Sequence, residues 1–181
     1  MKLAFITGFA FSDYDNAAAL LVNGIKENGQ TSLIPFMAKE MLSVWPEEFK
    51  SAILVPVPSS RANAKRRGFS HTTLLARALV RGLPNSRVRE LLVSAKPRRD
   101  QVGLSTSERK SNMTGAFKVQ LAGLASAIGP IVLIDDVLSS GASLTQAELA
   151  LRERGLKVSS FCVFARSGAK KQINTGQMSQ G

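Results

Sequence analysis

Cysteine, histidine and aromatic residues are scarce in this chain, which has one Cys, one His, one Trp, one Tyr and 6% aromatics over 181 residues. One cysteine excludes an internal disulfide, and with one histidine it leaves too few soft ligands for a structural zinc site. Cytoplasm is therefore the expected compartment. No apolar run approaches the roughly 20 residues of a membrane span, so no membrane insertion is expected. The opening MKLAFITGFAFSD has a lysine and a short apolar stretch but no A-x-A cleavage pattern, and is not read as a signal peptide. No G-x-G-x-x-G follows a strand and no G-K-[ST] loop is present, which sets aside dinucleotide and P-loop enzymes. Metalloprotease and Ser-His-Asp readings would each lean on His71 alone, with no nucleophile elbow beside it.

What is abundant is positive charge, 24 Lys+Arg against 13 Asp+Glu, a net of +11. Its distribution is uneven. Residues 1–50 carry 4 basic and 6 acidic side chains, residues 51–110 carry 13 and 3, and residues 111–181 carry 7 and 4. The middle third, at +10, is expected to line something that bears several negative charges.

The chain is long enough for one core without staples. Three apolar runs bounded by turn residues, Ala52 to Val57, Ile131 to Ile134 and Val158 to Ala165, suit strands buried on both faces. Between them Leu74, Leu75, Ala78, Leu79 and Leu83 recur at helical spacing, as do Leu144, Ala147, Ala150 and Leu151. Strands alternating with helices predict an α/β fold, a central mostly parallel sheet with flanking helices over 51–166. Ligands of such sheets bind at the carboxyl ends of the strands. Residues 1–50 differ. The apolar stretch Leu3 to Phe11 and the segments Ala17 to Ile25 and Ser32 to Leu42, at roughly helical period, are expected as a small N-terminal flap or hood packed on that core. Residues 167–181 are too polar to order themselves and read as a frayed tail. Ser105 and Glu108 have capping-box spacing.

The most specific segment is IVLIDDVLSSGAS, Ile131 to Ser143. A buried strand would deliver Asp135 and Asp136 rigidly at its end, where carboxylates accept hydrogen bonds from vicinal hydroxyls or engage a magnesium shell. Ser139, Ser140, Gly141, Ala142 and Ser143 are small enough for their amides to approach an anion, with a helix N-terminus behind them. Carboxylates for a diol beside amides for a phosphate describe a ribose 5-phosphate site. The second element, VPVPSSRANAKRRGFSH, ends a strand in two prolines and releases a loop bearing Arg61, Lys65, Arg66 and Arg67, whose guanidinium forks suit phosphate oxygens. The third, Lys96 to Phe117, is basic and rich in turn residues.

Ile131 to Ser143 resembles, position for position, the phosphoribosyl pyrophosphate (PRPP) signature of type I phosphoribosyltransferases. The three elements together resemble the competence protein F-like (ComF) family. The matching residues are Pro56, Val57 and Pro58; Gly68 and Phe69; Gln101, Gly103 and Leu104; Glu108 and Arg109; and Asn112, Gly115, Ala116 and Phe117, while Ile25-Lys26 resembles the family's early lysine. The resemblance implies that Asp135 and Asp136 face the ribose hydroxyls of PRPP, that Ser139 to Ser143 hold its 5-phosphate, and that Arg61, Lys65, Arg66 and Arg67 bind pyrophosphate. Arg61 joins the aspartates as a catalytic residue, and magnesium accompanies PRPP near Asp135 and Asp136. The segment Arg98 to Lys110, with Arg98, Arg99, Gln101 and Arg109, corresponds to a flexible loop that closes over the site.

Three departures stand out. The four-cysteine zinc module of many relatives is missing, and Cys162 lies on an apolar strand as a core residue. The family's G-F-N-Q reads Gly68-Phe69-Ser70-His71, which leaves an exposed loop histidine as either a phosphate ligand or a tolerated polar residue. Ser139 stands where purine-type relatives often place an aspartate base. The reaction implied is phosphoribosyl transfer from PRPP to an unidentified acceptor, with release of pyrophosphate. The second reading is a non-catalytic or weakly catalytic competence factor handling single-stranded DNA, since the positive charge exceeds what one PRPP requires. Against it stands the lack of interleaved aromatic and basic residues. Trp45 and Tyr14 are expected to serve packing.

Overall fold

The computed structural model describes residues 3, 6–59, 67–95, 115–120 and 129–167. Its centre is a five-stranded sheet built from β1 (Gly8–Asp13), β2 (Ile53–Pro56), β3 (Arg87–Val88), β6 (Ile131–Leu138) and β7 (Val158–Arg166). The order is β1-β7-β6-β2-β3, and every neighbouring pair runs parallel. A two-stranded antiparallel ribbon of β4 (Leu92–Ser94) and β5 (Phe117–Val119) stands apart from it. The expected mostly parallel sheet with flanking helices is what the chain forms.

Strand periodicity divides the core into two layers. Leu54, Val132, Ile134, Cys162 and Phe164 enter one apolar cluster, while Ile53, Val55, Ile131, Leu133, Phe161 and Val163 enter the other. Both faces of the central strands are thus covered, which is why these segments read as continuous apolar runs instead of alternating ones. Burial pushes the Cys162 thiol up from its ordinary value, as suits an inert core residue.

The first cluster is roofed by α1 (Asn16–Asn28), α2 (Ile34–Ser43) and α3 (His71–Leu79). Asp15 caps α1 by accepting from the Ala18 amide at 2.8 Å, and Gly29, at φ 66, ends it. Pro35 lies in the first turn of α2, where its missing amide costs nothing. The helix α4 (Ala142–Arg152) covers the second cluster with Leu144, Ala147 and Leu151, residues at the spacing that predicted it.

Residues 1–50, expected as a flap beside the sheet, contribute a strand to the sheet itself. β1 pairs with β7 from Gly8 opposite Phe161 to Asp13 opposite Arg166, and the Asp13 carboxylate holds Arg166 Nε at 2.8 Å. As an edge strand β1 is only half-buried, so its pattern lacked the fully apolar signature of the central strands. Phe9 packs edge-on against Trp45 at 5.4 Å and Phe11 stacks on Phe164 at 5.5 Å, so Trp45 does serve packing. The Ser105–Glu108 capping box, the Arg98 to Lys110 segment and residues 168–181 of the expected tail lie outside the described residues. Among the described residues no helix is long and apolar enough to cross a membrane.

β1 docks closely because Gly8 has no side chain: a Cβ there would sit 2.4 Å from the Phe161 carbonyl oxygen and 2.5 Å from its ring. Gly8→Ala is expected to cost about 1–3 kcal/mol by overpacking. Phe161→Ala, which empties a fully buried site, is expected to cost about 3–5 kcal/mol. Urea denaturation of both variants checks this ordering.

Candidate functional site

The carboxyl end of β6 carries the site. After four buried residues, Asp135 lines an open cleft and Asp136 turns beneath it at 5% exposure. Asp136 Oδ2 lies 2.6 Å from Lys26 Nζ of α1 and 2.9 Å from His71 Nε2 of α3. Burial alone would push this carboxyl up, but the His71 hydrogen bond and the Lys26 ammonium outweigh it and hold it well below the usual carboxylate range. The pair assigned to a diol therefore divides. Asp136 is engaged by the protein, whereas Asp135, whose Oδ1 accepts from the Asp136 amide at 2.9 Å, is the carboxylate set along the cleft wall.

His71 is neither exposed nor on a loop, in contrast to the sequence reading. It is the first residue of α3, 6% exposed, behind the N-cap Ser70, whose hydroxyl accepts from the Thr73 amide at 3.3 Å. Its Nδ1 lies 3.5 Å from Arg67 Nη1. An arginine offers no acceptor, so Nδ1 accepts and the Nε2 proton points at Asp136.

Arg67, expected to bind pyrophosphate, also turns inward. Its side chain is 8% exposed, Nε donates to the Lys26 carbonyl at 2.7 Å, and Nη2 lies 3.6 Å from Glu27 Oε1. The physical reason is that the last turn of α1 presents an orphan carbonyl beside a carboxylate, a match for the guanidinium fork. Arg61, Lys65, Arg66, Arg98, Arg99, Gln101 and Arg109 lie outside the described residues.

The Ser139–Ser143 loop does open α4. Gly141, at φ 72, is the N-cap, in the left-handed region that favours glycine. A glycine cap brings no side chain to the first-turn amides, which leaves them suited to an anion. The Ser140 hydroxyl accepts from the Ala142 amide at a long 3.4 Å. Ser139 and Ser143 line the cleft, whose volume is about 420 Å³, with Asp135, Asp136, Lys26 and His71.

Sequence reasoning passed over Asn23 and Ser59 and gave Tyr14 and Lys26 no place in the site. Tyr14, expected to pack, is 37% exposed and lines the cleft with Asn23. The Ser59 hydroxyl is buried there without a hydrogen-bond partner among the described residues. Lys26 was noted only as a family match, and its signal was its place at the end of the apolar α1 stripe. For His71 the signal was Ser70, a capping residue before an apolar periodic run.

Ligand atoms of His71, Asp135 and Asp136 lie within 4.8 Å of one another. Magnesium favours oxygen ligands, and the Asp136 oxygen already faces an ammonium and an imidazole. Of the two carboxylates, Asp135 is the one that fits that ion.

The structure is thus an α/β protein whose cleft, with an acidic strand end and a small-residue loop opening a helix, lies at the carboxyl edge of a parallel sheet, where ligands of such folds bind. No family model matches the chain. By sequence it is similar to competence protein F of Haemophilus influenzae, 28% identical over 104 residues, which make up 58% of this chain and 45% of that protein. It is also similar to the DNA utilization protein YhgH of Salmonella typhi and of Salmonella typhimurium, 27% identical over 161 residues, 84% of this chain and 69% of each relative. These relatives accord with the ComF-like resemblance. The chain spans less than half of the Haemophilus protein's length. Among solved structures it is similar to orotate phosphoribosyltransferase from Aeropyrum pernix, with 16% identity and a TM-score of 0.44 over 78% of this chain and 62% of that one. Adenine phosphoribosyl transferase from Trypanosoma brucei is similar at 10% identity and a TM-score of 0.43, over 85% of this chain and 74% of that one.

Asp136 yields a signed prediction. Its folded carboxyl lies below the ordinary 3.8, so its stabilising contribution is complete above that value and is lost as the pH falls below it. The stability difference between wild type and Asp136→Asn is expected to hold down to about pH 5 and to shrink from there toward pH 2. Lys26→Met, which removes one of the two cations or donors from a buried carboxylate, is expected to cost about 3 kcal/mol at neutral pH. Denaturant titrations across that pH range check both.

Proposed function

We propose that the cleft binds PRPP and that the chain transfers its phosphoribosyl group to an acceptor, releasing pyrophosphate. The observation that carries this reading is the convergence, in one cleft of about 420 Å³, of Asp135 with the loop that opens α4. The fold beneath it is a parallel α/β sheet, and ComF-like relatives support the assignment.

In the proposed mechanism Asp135 accepts from the ribose hydroxyls, and the amides that follow Gly141, with Ser139 and Ser143, hold the 5-phosphate. Asp136 keeps its negative charge under the sugar because Lys26 and His71 stabilise the ionised form. That fixed charge favours the oxocarbenium-like transition state as the bond from the anomeric carbon to pyrophosphate breaks and the bond to the acceptor forms. The leaving electron pair goes to pyrophosphate, and the acceptor's proton goes to solvent. Ser59 suits a phosphate oxygen of the leaving group, and Arg61, Lys65 and Arg66, which follow it in the sequence, are proposed to complete that subsite. Magnesium, when bound beside Asp135 on the ligand's phosphates, would supply further charge neutralisation for the leaving group. Its proposed place of action is the cytoplasm, in keeping with one reduced, buried cysteine.

A second reading is that the same basic surface handles single-stranded DNA. It is favoured by relatives named for competence and DNA utilization and by the net +10 over residues 51–110. A salt titration separates the two: affinity for a single strand that falls steeply with salt, and is competed by PRPP, would place both ligands in one groove.

Calorimetry with magnesium and PRPP is expected to show binding that weakens at least about tenfold in Asp135→Asn, the loss of a charged hydrogen-bond acceptor. Unchanged affinity would remove the site assignment. Pyrophosphate release from a mixture of PRPP with nucleobases and amines, confined to one acceptor, would establish the reaction. Binding without release would leave a PRPP-binding protein.

A further inference from the structure

The cleft has a second flank to which the proposed reaction assigns nothing. Tyr14 follows β1, Ser167 follows β7, and Asn23 lies about one turn before Lys26 on α1; all three line the cleft. The Tyr14 amide donates to the Arg166 carbonyl at 2.7 Å and the Ser167 amide to the Leu138 carbonyl at 2.8 Å, so the ends of β1, β7 and β6 are tied side by side. Ser59 lies just past β2, on the other side of β6. Three strand intervals separate β2 from β1, about 14 Å at the usual spacing, which is room for a sugar and a planar ring.

The side chains of Tyr14 and Asn23 have no hydrogen-bond or ion partner among the described residues, although both are polar and line a concave site. The charges beside them are committed to the protein. Asp13 holds Arg166 Nε at 2.8 Å, and Lys26 holds Asp136 Oδ2 at 2.6 Å. What the flank offers a ligand is a phenol, a carboxamide, the Ser167 hydroxyl and the Val22 side chain. A carboxamide presents a donor and an acceptor together, and an aromatic face takes a planar ring by stacking. A ring that bears a carboxylate meets no unpaired cation among the described residues of this flank, and has Asp135 and Asp136 as neighbours in the cleft.

We propose that this flank is the acceptor subsite, and that the acceptor is an uncharged nitrogen heterocycle stacked on Tyr14 with a donor–acceptor edge on the Asn23 carboxamide. The assignment rests on the phosphoribosyl reading, which gives Ser59 to the leaving pyrophosphate. Direct displacement at an anomeric carbon brings the nucleophile in opposite the leaving group, and the strand order sets Tyr14 and Ser167 on the side of β6 away from Ser59. A ring-nitrogen lone pair forms the new bond, and the electron pair of the broken bond leaves with pyrophosphate. The ring N–H proton goes to solvent, because neither a phenol nor a carboxamide takes up a proton at neutral pH.

The test is calorimetry on the full chain with ligands that share one phosphoribosyl group: ribose 5-phosphate, the uridine and inosine 5′-monophosphates, and orotidine 5′-monophosphate, which is the uridine compound with a carboxylate on its ring. The tighter of the uridine and inosine compounds is expected to bind at least about tenfold more strongly than ribose 5-phosphate, the lower range of what one base–aromatic stack adds. Orotidine 5′-monophosphate is expected to bind at least about tenfold more weakly than the uridine compound, for want of a partner to its carboxylate. Tyr14→Ala is expected to abolish the gain from the base and Asn23→Ala to reduce it, with the ribose 5-phosphate affinity of both variants unchanged, which also shows that they fold. Tyr14 is the one tyrosine of the chain, so fluorotyrosine labelling gives a single fluorine resonance, expected to shift with the tighter nucleotide and not with ribose 5-phosphate. Ribose 5-phosphate bound as strongly as the nucleotides, orotidine 5′-monophosphate bound most tightly, or a gain that survives Tyr14→Ala would overturn the acceptor assignment and leave the phosphoribosyl reading standing. No binding of ribose 5-phosphate would remove both.

Discussion

Asp136 is a carboxylate taken out of water at the end of a central strand, and its two partners come from separate helices. Lys26 reaches it from the last turn of α1 and His71 from the first turn of α3. An ionised carboxylate in that position is unfavourable unless its oxygens are met, so the docking of both helices on the sheet is coupled to its charge. Arg67 extends the coupling, since it bonds the carbonyl of Lys26, approaches Glu27 and faces the other nitrogen of His71. The end of β6, the helix α1 and the helix α3 are thereby held by one network.

That network also assigns unequal roles to two adjacent aspartates. Asp136 is buried between Lys26 and His71, while Asp135 lies half-buried along the cleft wall. The cleft combines it with the glycine-capped loop before α4, so a carboxylate and a helix N-terminus stand side by side at one edge of the sheet. The positive charge of the middle third is divided as well. Arg67 is spent inside the fold, and Arg77 pairs with Glu90 on the surface at 3.0 Å, so part of the excess that suggested a polyanion serves structure.

Much of this fold was legible before any coordinates. Ile131 to Ile134 and Ala52 to Val57 are apolar on both faces because parallel central strands are covered twice, and Leu144, Ala147 and Leu151 repeat at the helical period because one face of α4 is buried. The carboxylates and the Ser-Ser-Gly loop were legible too, since strand end, turn and helix start follow one another within thirteen residues. The place of β1 was not, because the apolar stretch Leu3 to Phe11 runs out at Ser12 and Asp13 within the strand, and its parallel pairing to β7 spans more than a hundred residues. His71 was assigned to a loop because its neighbours Arg66, Arg67 and Gly68 outweighed the capping signal of Ser70.

The sequence by itself determined the local facts: which segments are strands and helices, that glycine must turn the chain before α4, and that two carboxylates end a buried strand. These depend on periodicity and on residues adjacent in the chain. Only the tertiary structure decided which aspartate lies along the cleft wall, which one is buried against two helices, and which cations serve the protein. Lys26, Arg67, His71 and Asp136 come from separate elements, and Lys26 and Asp136 are more than a hundred residues apart. Their roles follow from burial and from distances of a few ångströms, quantities that exist only once the helices have closed on the sheet.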